Sequence, residues 1–490
     1  MRDGEYKDTV EEVKEKFREI WGYEDFRSPQ GEIVHTLLGG KDALVVLPTG
    51  AGKSICFQLP ALLQTGLTIV VSPLVALMEN QVSQLKQLGL SGALLQGALL
   101  HSELSRRDRQ QVLQSIQRQE LNLIYLSPES LLSNSLWEVI SQPQIKITGI
   151  VIDEAQCLIQ WGATFLPAYR RLGAVRRSLL KCKPLGTKIA IAAFTATANP
   201  AAQKDIIKAL ELNQAETFSV SPYRSNLSLN IKTVWTPKGR KHKALKFIQT
   251  QKNSSGLVYV RSRKDSQTLT QWFKSLDYSV AAYHAGLINI ERRKIERDWI
   301  SGKIQFVICT SAFGMGIDKS DCRWILHYHA PELIAEYVQE VGRAGRDGKP
   351  ANTLTLISEP TGWLNPEDKH RSQFFNRKLE QQYRTVQHLI KKLPNKGDIA
   401  TIKQQFPQGE ITLSILHILG LVSWQDPFSY RKHSAKITPN RLINNQKYYQ
   451  QQIQKYFQTK QCRWQFLLQS FGFDREAQNF RCGNCDNCCR

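Results

Sequence analysis

The chain has 490 residues and a hydrophobic fraction of 41%, enough for about three domains with buried cores. It has no run of about 18 apolar residues and begins with a charged segment, so we expect a soluble, intracellular protein without a membrane span or signal peptide. The net charge of +22 indicates a polyanionic partner, although a solvated basic surface would give the same value. Residues 361–490 carry 20 Lys and Arg against 9 Asp and Glu, so half of the excess lies there.

Short apolar runs alternate with longer amphipathic stretches through the first part of the chain. The runs are typical of buried parallel strands, and stretches such as 74–88 are typical of the helices between them. This alternation predicts a doubly wound α/β sheet. The predicted strands are 43–48, 67–73, 122–128, 147–155 and 189–197.

A second series of the same kind follows a connecting stretch at 219–228. Its predicted strands are 254–260, 279–285, 304–310, 323–329 and 353–357. Two such series predict two lobes with a cleft between them. We therefore divide the chain into a first domain at 1–220, a second at 221–360 and a third region at 361–490.

The first predicted strand runs into a glycine-rich turn, LPTGAGKS (47–54), which an apolar helix follows. Such a turn wraps backbone N–H groups around phosphates, aided by the helix dipole. Lys53 would reach the outer phosphates and Ser54 would bind Mg²⁺. Leucine stands where the motif usually begins with glycine, but the T-G-x-G-K-S core is intact. The residues predicted to hold the nucleotide here are Thr49, Gly50, Gly52, Lys53 and Ser54.

An acidic pair, Asp153 and Glu154, ends the strand at 147–152. Carboxylates at the carboxyl end of a parallel strand can hold Mg²⁺ through water and activate the attacking water. Asp153 is the predicted metal partner and Glu154 the predicted general base. Without the glycine-rich turn, a helix cap with an acidic first turn would be the preferred interpretation.

Two arginines, Arg343 and Arg346, stand in QEVGRAGRDG (339–348) of the second series. Residues three apart on a helix point the same way, so both side chains would reach one target. A guanidinium suits the stabilisation of a transferring phosphoryl group from across a cleft. A solvated face or a contact with a phosphate backbone is the alternative.

Cysteines crowd the end of the chain, where Cys482, Cys485 and Cys488 are separated by two-residue gaps. This spacing lets thiolates converge on one zinc ion, which takes four ligands in structural sites. A fourth ligand is therefore expected elsewhere in the chain.

Seven motifs occur in an order that resembles superfamily 2 helicases, and RecQ-type DNA helicases in particular. They are PTGAGKS, VVSPLVALMENQV, DEAQC, FTATA, YHAGL, TSAFGMGIDK and QEVGRAGRDG. The resemblance covers about residues 17–360 and resumes at 462–488. It implies two tandem RecA-like doubly wound parallel-sheet domains, the first of which binds ATP, followed by a helical zinc-binding module.

The entry segment, FREIWGYEDFRSPQGEIV (17–34), is similar to the adenine-recognition motif of that family. The likeness implies that Gln30 bonds the adenine edge while Tyr23 and Arg27 stack on the base. The family also takes one zinc ligand from a helix upstream of its C-x₂-C-x₂-C cluster, which implies Cys462 as the fourth ligand. Cys489 is a fifth thiol that competes with Cys488.

DEAQCLIQWGATFLPAY (153–169) resembles motif II and the aromatic-rich loop that couples DNA to ATP hydrolysis. The family usually has His where Gln156 stands, and His and Arg where this chain has Ala163 and Leu166. The amide of Gln156 can still bridge phosphate and loop. The predicted stacking surfaces for single-stranded DNA are Trp161, Phe165 and Tyr169, with plain core packing as the alternative.

The resemblance implies an ATP-dependent helicase that moves 3′-to-5′ on single-stranded DNA and unwinds duplex DNA in recombination, repair and replication. Its cofactors would be ATP, Mg²⁺ and Zn²⁺. Its partners would be single-stranded and duplex DNA, a single-stranded-DNA-binding protein and recombination or repair proteins, with no membrane; in a prokaryote it would be cytoplasmic and nucleoid-associated. The alternatives are an RNA helicase of superfamily 2 and a zinc-dependent DNA-binding or annealing protein with weak ATPase activity.

Family members commonly continue past the zinc into a winged-helix domain, and we expect this chain to lack one. We instead interpret residues 379–440 as a winged-helix-like insert. The apolar spacing predicts three helices, and 421–424 with 431–438 predict a two-stranded wing. The alternative is a helical spacer packed on the second lobe. The residues of the insert that are predicted to contact duplex DNA are Arg431, Lys432 and Lys436.

Overall fold

The computed structural model describes residues 10–73, 75–88, 97–101, 104–159, 167–313, 319–433 and 440–489. The chain divides into two compact units. The first unit comprises Met1–Val220 and Arg384–Thr438, and the second comprises Ser221–Tyr383 and Pro439–Arg490. Among the described helices, none combines the length and the apolar character needed to cross a membrane.

A parallel sheet of seven strands forms the centre of the first unit. Its strands are β1 (Ala43–Val46), β2 (Leu67–Val71), β3 (Gly97–Leu100), β4 (Leu123–Leu126), β5 (Ile147–Ile152), β6 (Ala190–Thr195) and β7 (Glu216–Ser219). They lie in the order β3-β4-β2-β5-β6-β1-β7, and each neighbouring pair is parallel. β1, β2, β4 and β6 are buried along their whole length, as expected for a parallel sheet covered on both faces.

Helices connect these strands and cover the sheet. They are α1 (Val10–Trp21), α2 (Gln30–Leu38), α3 (Lys53–Leu63), α4 (Val75–Gln87), α5 (Arg106–Gln117), α6 (Pro128–Leu131), α7 (Asn134–Ile140), α8 (Gly173–Leu180) and α9 (Pro200–Ala209). Two 3₁₀ helices lie at Ala155–Leu158 and Pro167–Arg171. The apolar faces of the helices and strands form separate core clusters, because a doubly wound sheet is packed on both sides.

The second unit is built on a parallel sheet of six strands. They are β8 (Leu227–Val234), β9 (Gly256–Tyr259), β10 (Val280–Tyr283), β11 (Phe306–Cys309), β12 (Trp324–His327) and β13 (Ala351–Ser358), in the order β10-β11-β9-β12-β13-β8. The helices that connect them are α10 (Pro237–Thr250), α11 (Arg263–Lys274), α12 (Asn289–Ile300) and α13 (Ile334–Val341). The two sheets confirm the predicted fold class.

Sequence patterns predicted the inner strands of both sheets but not the outer strands β3, β7 and β8. The side chains of β7 alternate between half-buried and exposed, and those of β8 between buried and less buried. An edge strand has a less continuous apolar run because it is covered on fewer sides. The sequence pattern therefore places the residues that open β8 in a connecting stretch, whereas the strand begins at Leu227.

The rest of the chain returns to both units. α14 (Glu367–Lys392) crosses the division between Tyr383 and Arg384. The first unit then gains β14 (Lys396–Asp398), α15 (Ile399–Gln405), α16 (Gly409–Ile418), β15 (Val422–Trp424) and β16 (Ser429–Lys432). α17 (Asn440–Gln458), α18 (Arg463–Ser470) and α19 (Asp474–Ala477) belong to the second unit. The region predicted as a third domain is thus shared between the two units.

The segment from α14 to β16 has the element order helix, strand, helix, helix, strand, strand. β16 pairs antiparallel with β14 on one side and with β15 on the other. The three helices match the predicted ones, although α14 begins twelve residues before the predicted start at 379. β14 is an additional strand, and residues 434–438 of the predicted wing lie outside the described residues.

This insert packs on the first unit. Arg171 forms a buried ion pair with Glu410 at 2.9 Å, and the Ser414 hydroxyl donates to the Pro167 carbonyl at 3.3 Å. The ring of Phe428 meets Trp137 edge-on at a centroid distance of 5.1 Å. The contacts anchor α16 and the β15–β16 turn beside the 3₁₀ helix that follows the predicted aromatic-rich loop.

Candidate ATP, zinc and nucleic-acid sites

The glycine-rich turn lies between β1 and α3, as predicted. Gly50 has a φ of 85° and Gly52 a φ of 74°, a left-handed conformation that glycine adopts without strain. Gly52 caps α3, and Lys53 and Ser54 form its first turn. The free backbone N–H groups at this end of the helix favour a phosphate.

Gln30 ties the entry segment to this turn. Its Oε1 accepts from the Arg27 backbone N–H at 3.0 Å, and its Nε2 donates to the Ala51 carbonyl at 3.0 Å. A Cβ atom at Gly52 would lie 2.4 Å from Gln30 Nε2, so a larger residue would displace this amide from the turn. Arg27 is exposed and Tyr23 is 53% exposed, so both side chains are accessible for the predicted stacking on a base.

The acidic pair lies at the carboxyl end of β5, where both side chains are buried. Glu154 has a φ of 51°, and its backbone N–H donates to Asp153 Oδ1 at 2.9 Å. Burial, and then the charge of Glu154, raise the pKa of Asp153 to about 7, while Lys53 works in the opposite direction. A cation bound at this carboxylate would favour its ionised form.

Gln156 joins the acidic pair to the neighbouring strand. Its Nε2 donates to Glu154 Oε2 at 2.5 Å, and its Oε1 accepts from the Thr195 hydroxyl at 2.6 Å. Thr195 ends β6, is fully buried and also receives the Thr197 backbone N–H at 3.2 Å. We did not assign a role to Thr195 from the sequence, although the FTATA motif contained the signal.

The two predicted phosphate-contacting arginines follow α13 in the second unit. They lie in turns after the helix, which ends at Val341, and not on the helix as the three-residue spacing suggested. Arg343 is buried and Arg346 is half-buried. Arg224 donates to the Gly342 carbonyl at 2.9 Å and also bonds the Gly345 carbonyl, which anchors this turn segment.

Of the three residues predicted to stack on DNA, the structure describes only Tyr169. Trp161 and Phe165, with Ala163 and Leu166, lie outside the described residues. Tyr169 is wrongly assigned, because its side chain is fully buried in the core of the first unit and its hydroxyl donates to the Asp153 carbonyl at 3.3 Å. A ring enclosed in this way has no free face on which a base could stack. Tyr169 instead bonds the backbone of motif II.

The three basic residues predicted to contact duplex DNA also differ in exposure and in their contacts. Arg431 is exposed, and Lys436 lies outside the described residues. The Lys432 ammonium donates to the carbonyls of Ile390 and Leu393, at 3.1 and 2.8 Å, and so caps the end of α14. Lys432 is therefore a helix-capping residue rather than a free cation for DNA.

Four cysteines form a cluster in the second unit. The Sγ atoms of Cys462, Cys482, Cys485 and Cys488 all lie within 4.8 Å of one another, and those of Cys482 and Cys488 are 3.9 Å apart. Sulfurs bound tetrahedrally at about 2.3 Å from zinc lie about 3.8 Å apart, so the set fits this metal. Cys489 is exposed, and its thiol faces the Gly483 carbonyl at 3.2 Å, which leaves Cys488 as the ligand.

The cysteine cluster is attached to the edge strand β8. Asp486 accepts from the Ile231 backbone N–H at 3.1 Å and forms a two-pronged ion pair with Arg463 at 2.8 and 3.0 Å. The Trp464 indole donates to the Leu227 carbonyl at 3.3 Å. Backbone N–H groups of Arg463 and Cys482 donate to the sulfurs of Cys485 and Cys462. The metal would thus hold the chain end against the sheet.

Family models match three stretches of the chain. Residues 27–206 match the DEAD/DEAH box helicase model, residues 239–348 match the helicase conserved C-terminal domain, and residues 430–489 match the RecQ zinc-binding model. The three matches follow the order of the nucleotide turn, the second sheet and the cysteine cluster.

Three relatives show how far the similarity extends. The chain is 48% identical to the ATP-dependent DNA helicase RecQ of Synechocystis sp., over 97% of this chain and 98% of that protein. It is 37% identical to the RecQ helicase of Haemophilus influenzae, over 74% of this chain and 56% of the relative. It is also 37% identical to the probable ATP-dependent DNA helicase RecS of Bacillus subtilis, over 70% of this chain and 66% of the relative. The chain thus spans nearly all of the first relative and between half and two thirds of the others.

Solved structures support the fold. The helicase MrfA bound to DNA superposes with a TM-score of 0.58 over 90% of this chain and 64% of that one, at 18% identity. Dbp5 of S. cerevisiae, bound to RNA and ADP BeF3, gives a TM-score of 0.57 over 72% of this chain and 90% of that one, at 17% identity. At such identities the likeness concerns the fold alone.

Two α/β units, each built on a parallel sheet, with a glycine-rich turn and a buried acidic pair in the first, define an ATP-dependent helicase of superfamily 2. Its cysteine cluster narrows that class further. The chain belongs to the RecQ family of ATP-dependent DNA helicases. The predicted family and the ATP-dependent DNA helicase activity are thereby confirmed, and neither alternative activity is favoured.

Proposed function

We propose that the protein uses ATP hydrolysis to move 3′-to-5′ along single-stranded DNA and to unwind duplex DNA ahead of it. The observation that carries the proposal is the hydrogen-bonded chain from Glu154 through Gln156 to Thr195, beside Lys53 and Asp153. It connects the predicted hydrolytic groups to a second strand of the same sheet. A change at the nucleotide can therefore be transmitted to β6 as a shift of this packed strand.

Each residue of the nucleotide site has a proposed part. Lys53 neutralises the outer phosphates, Glu154 takes the proton of the attacking water, and Arg343 or Arg346 stabilises the transferring phosphoryl group. Ser54 and Asp153 would hold Mg²⁺ with ATP, and this ion would neutralise charge on the phosphates. Gln30, Tyr23 and Arg27 would select adenine.

The substrate proposal is tested by steady-state ATPase assays with single-stranded DNA, duplex DNA or single-stranded RNA as stimulator. We expect the largest stimulation by single-stranded DNA, and displacement only of strands whose partner carries a 3′ overhang. Stronger stimulation by RNA, or unwinding from 5′ overhangs alone, would contradict the proposal.

We further propose duplex contact by the insert, on a basic rim formed by Lys391, Lys392, Lys396 and Arg431. Lys396 and Arg431 stand directly opposite each other on β14 and β16, and both are exposed. Like charges in this position destabilise a sheet, and a phosphate between them would remove the repulsion. The bonds of Lys432 to the end of α14 bring Lys391 and Lys392 to the same end of the insert.

The cellular proposals follow from DNA as the substrate. The chain would act in recombination, repair and replication, together with a single-stranded-DNA-binding protein and repair proteins. In a prokaryote it would work at the nucleoid in the cytoplasm. Co-purification of chromosomal DNA-repair proteins with a tagged chain, sensitive to nuclease, is the expected result.

A further inference from the structure

Two tryptophans of the second unit have side chains that are mostly exposed. Trp363 is 85% exposed and Trp235 is 59% exposed. The other tryptophans that the structure describes are buried or half-buried. Burial of an indole contributes strongly to stability, so an indole left exposed points to a surface that meets a partner.

Both residues lie at the carboxyl edge of the sheet, after adjacent strands. Trp235 directly follows β8, Trp363 follows β13, and the last residues of these strands, Val234 and Ser358, are paired in register. The Glu359 backbone N–H donates to the Val234 carbonyl at 3.0 Å, which extends the pairing to the start of the turn that carries Trp363. The backbone segments that carry the two tryptophans therefore begin at neighbouring, hydrogen-bonded strand ends.

The turn that presents Trp363 is tied together by hydrogen bonds. The Glu359 carboxylate accepts from the Thr361 backbone N–H and hydroxyl, at 2.7 and 2.5 Å, and from the Leu364 backbone N–H at 3.0 Å. The Trp363 backbone N–H donates to the Thr361 hydroxyl at 3.2 Å. Because these bonds hold the backbone of the turn before binding, a partner that stacks on the ring has less of the chain to order.

The charges around the tryptophans suit a polyanion. Lys238 is exposed in the first turn of α10, and Lys369 is exposed with its stem against Gly362. The acidic side chains nearby are used internally, since Glu367 and Asp368 pair with the buried Arg240 at 3.3 and 3.1 Å. The accessible charge beside the indoles is therefore positive.

We infer that Trp235 and Trp363 form a stacking platform for the bases of single-stranded DNA, with Lys238 and Lys369 at its phosphates. Aromatic rings flanked by cations are the general means of binding single strands without sequence preference. The inference rests on the proposed function and adds a substrate contact in the second unit. A protein partner would use the same indoles but would not need the lysines.

The test is the affinity for an unlabelled oligothymidine, followed by tryptophan fluorescence and by a competition assay. Trp363→Ala is expected to weaken binding roughly tenfold, equivalent to about 1.4 kcal/mol, and Trp363→Phe to retain most of the affinity because a ring remains. Trp235→Ala should act in the same direction. At saturating DNA the ATPase rate should stay within about twofold, while the DNA concentration for half-maximal stimulation rises in parallel with the loss of affinity.

The matched control is Ile290→Ala, which removes an apolar side chain that is 74% exposed on α12 of the same unit. Lys238→Ala and Lys369→Ala should each lower the salt dependence of binding by about 0.7 in the slope of log affinity against log salt. Unchanged affinity of the double variant Trp235→Ala/Trp363→Ala, with unchanged thermal unfolding, would overturn the inference. Wild-type protein without DNA-stimulated ATPase would instead overturn the proposed function.

Discussion

At the scale of single residues, the nucleotide site depends on side chains that contact one another and not only on the motif that names them. Gln30 bonds the glycine-rich turn, and Gln156 connects Glu154 with Thr195. Buried polar groups arranged in such a chain are satisfied only together. Loss of one member is expected to affect the next.

The first prediction concerns the charged residues of hydrolysis. Lys53→Ala should lower the DNA-stimulated ATPase rate roughly a hundredfold, because the charge on the outer phosphates is no longer neutralised. Glu154→Gln should bind ATP normally and turn over roughly a hundredfold more slowly, because the general base is lost. Nucleotide binding and phosphate release measure the two effects. Lys86→Ala, an exposed lysine on α4, is the control, and near wild-type rates in both variants would contradict the assignment.

The second prediction concerns Thr195. Thr195→Val removes the hydroxyl that donates to Gln156 Oε1 while keeping the shape of the side chain. We expect ATP affinity to change little and DNA-stimulated turnover to fall roughly tenfold, since Gln156 is then free to leave Glu154. Thr68→Val, which breaks the Thr68–Thr148 hydroxyl pair on the same sheet, is the matched control. Equal rates for the two variants would show that the Thr195 bond is not part of catalysis.

At the scale of elements, the insert is fixed to the first unit by one face and presents a basic rim elsewhere. Arg171, Glu410 and Ser414 form the packed face, whereas Lys396 and Arg431 are exposed on the wing sheet. The two sets do not overlap. Charge on the rim can therefore be removed without disturbing the anchoring contacts.

The third prediction uses this separation. The variant Lys396→Ala/Arg431→Ala should lose affinity for duplex DNA and show a salt slope reduced by about 1.8, since two phosphate contacts are lost. ATPase activity stimulated by single strands should stay close to that of the wild type. Lys181→Ala/Lys188→Ala, two exposed lysines of the same unit, is the control. An unchanged salt slope on duplex DNA would remove the insert from the proposed DNA path.

The fourth prediction is a pH dependence of the packed face. Burial, and then the charges of Arg170, Arg177 and Lys208, lower the pKa of His417 to about 4. An unfolded chain takes up this proton near pH 6.5, so stability present above about pH 6.5 is lost as the pH falls towards 4, by roughly 2–3 kcal/mol. Urea unfolding of the wild type and of His417→Gln at pH 7 and pH 5 measures this loss of stability.

The substitution His417→Gln should reduce the loss of stability between pH 7 and pH 5, because the glutamine side chain has no proton to gain. His433→Gln, at an exposed histidine of the same insert, is the control and should leave the pH dependence as it is. A pH profile of His417→Gln that coincides with the wild type would refute the role of His417.

At the scale of the whole molecule, the last residues of the chain belong to the core of the second unit. Trp464 is fully buried with Leu227 and Leu229 of β8, and the ion pair between Arg463 and Asp486 joins α18 to the cysteine cluster. The cluster is therefore part of the fold and not an appendage. A zinc ion held by the four sulfurs of the cluster would have no open position for catalytic water.

The fifth prediction follows from this placement. Cys482→Ser should abolish stoichiometric zinc, lower the unfolding free energy of the second unit by at least about 3 kcal/mol and expose the chain end to protease. Metal analysis and thermal unfolding measure both effects. Cys489→Ser removes an exposed thiol next to the ligands and should keep one zinc per chain. Well-folded wild-type protein without zinc would contradict the structural role.

The sequence by itself determined those features that depend on a few neighbouring residues. The glycine-rich turn, the acidic pair after β5 and the spacing of three cysteines need only local geometry, and the inner strands are marked by continuous apolar runs. Resemblance to a family added Cys462 and Gln30, whose partners lie far away in the chain. In the structure the glycine-rich turn opens α3 and the four cysteine sulfurs lie together, while the binding of nucleotide and zinc by these residues stays a prediction.

The tertiary structure decided what covers each residue. An apolar or aromatic pattern shows that a side chain tends to be buried, but not which element will bury it, because long-range packing determines that choice. Hence Tyr169 lies in the core, Lys432 caps α14 and the insert packs on the first unit, while Trp235 and Trp363 remain exposed beyond the ends of adjacent strands. Residues separated by more than a hundred positions come into contact only when the sheets form. The order of residues along the chain does not predict such contacts.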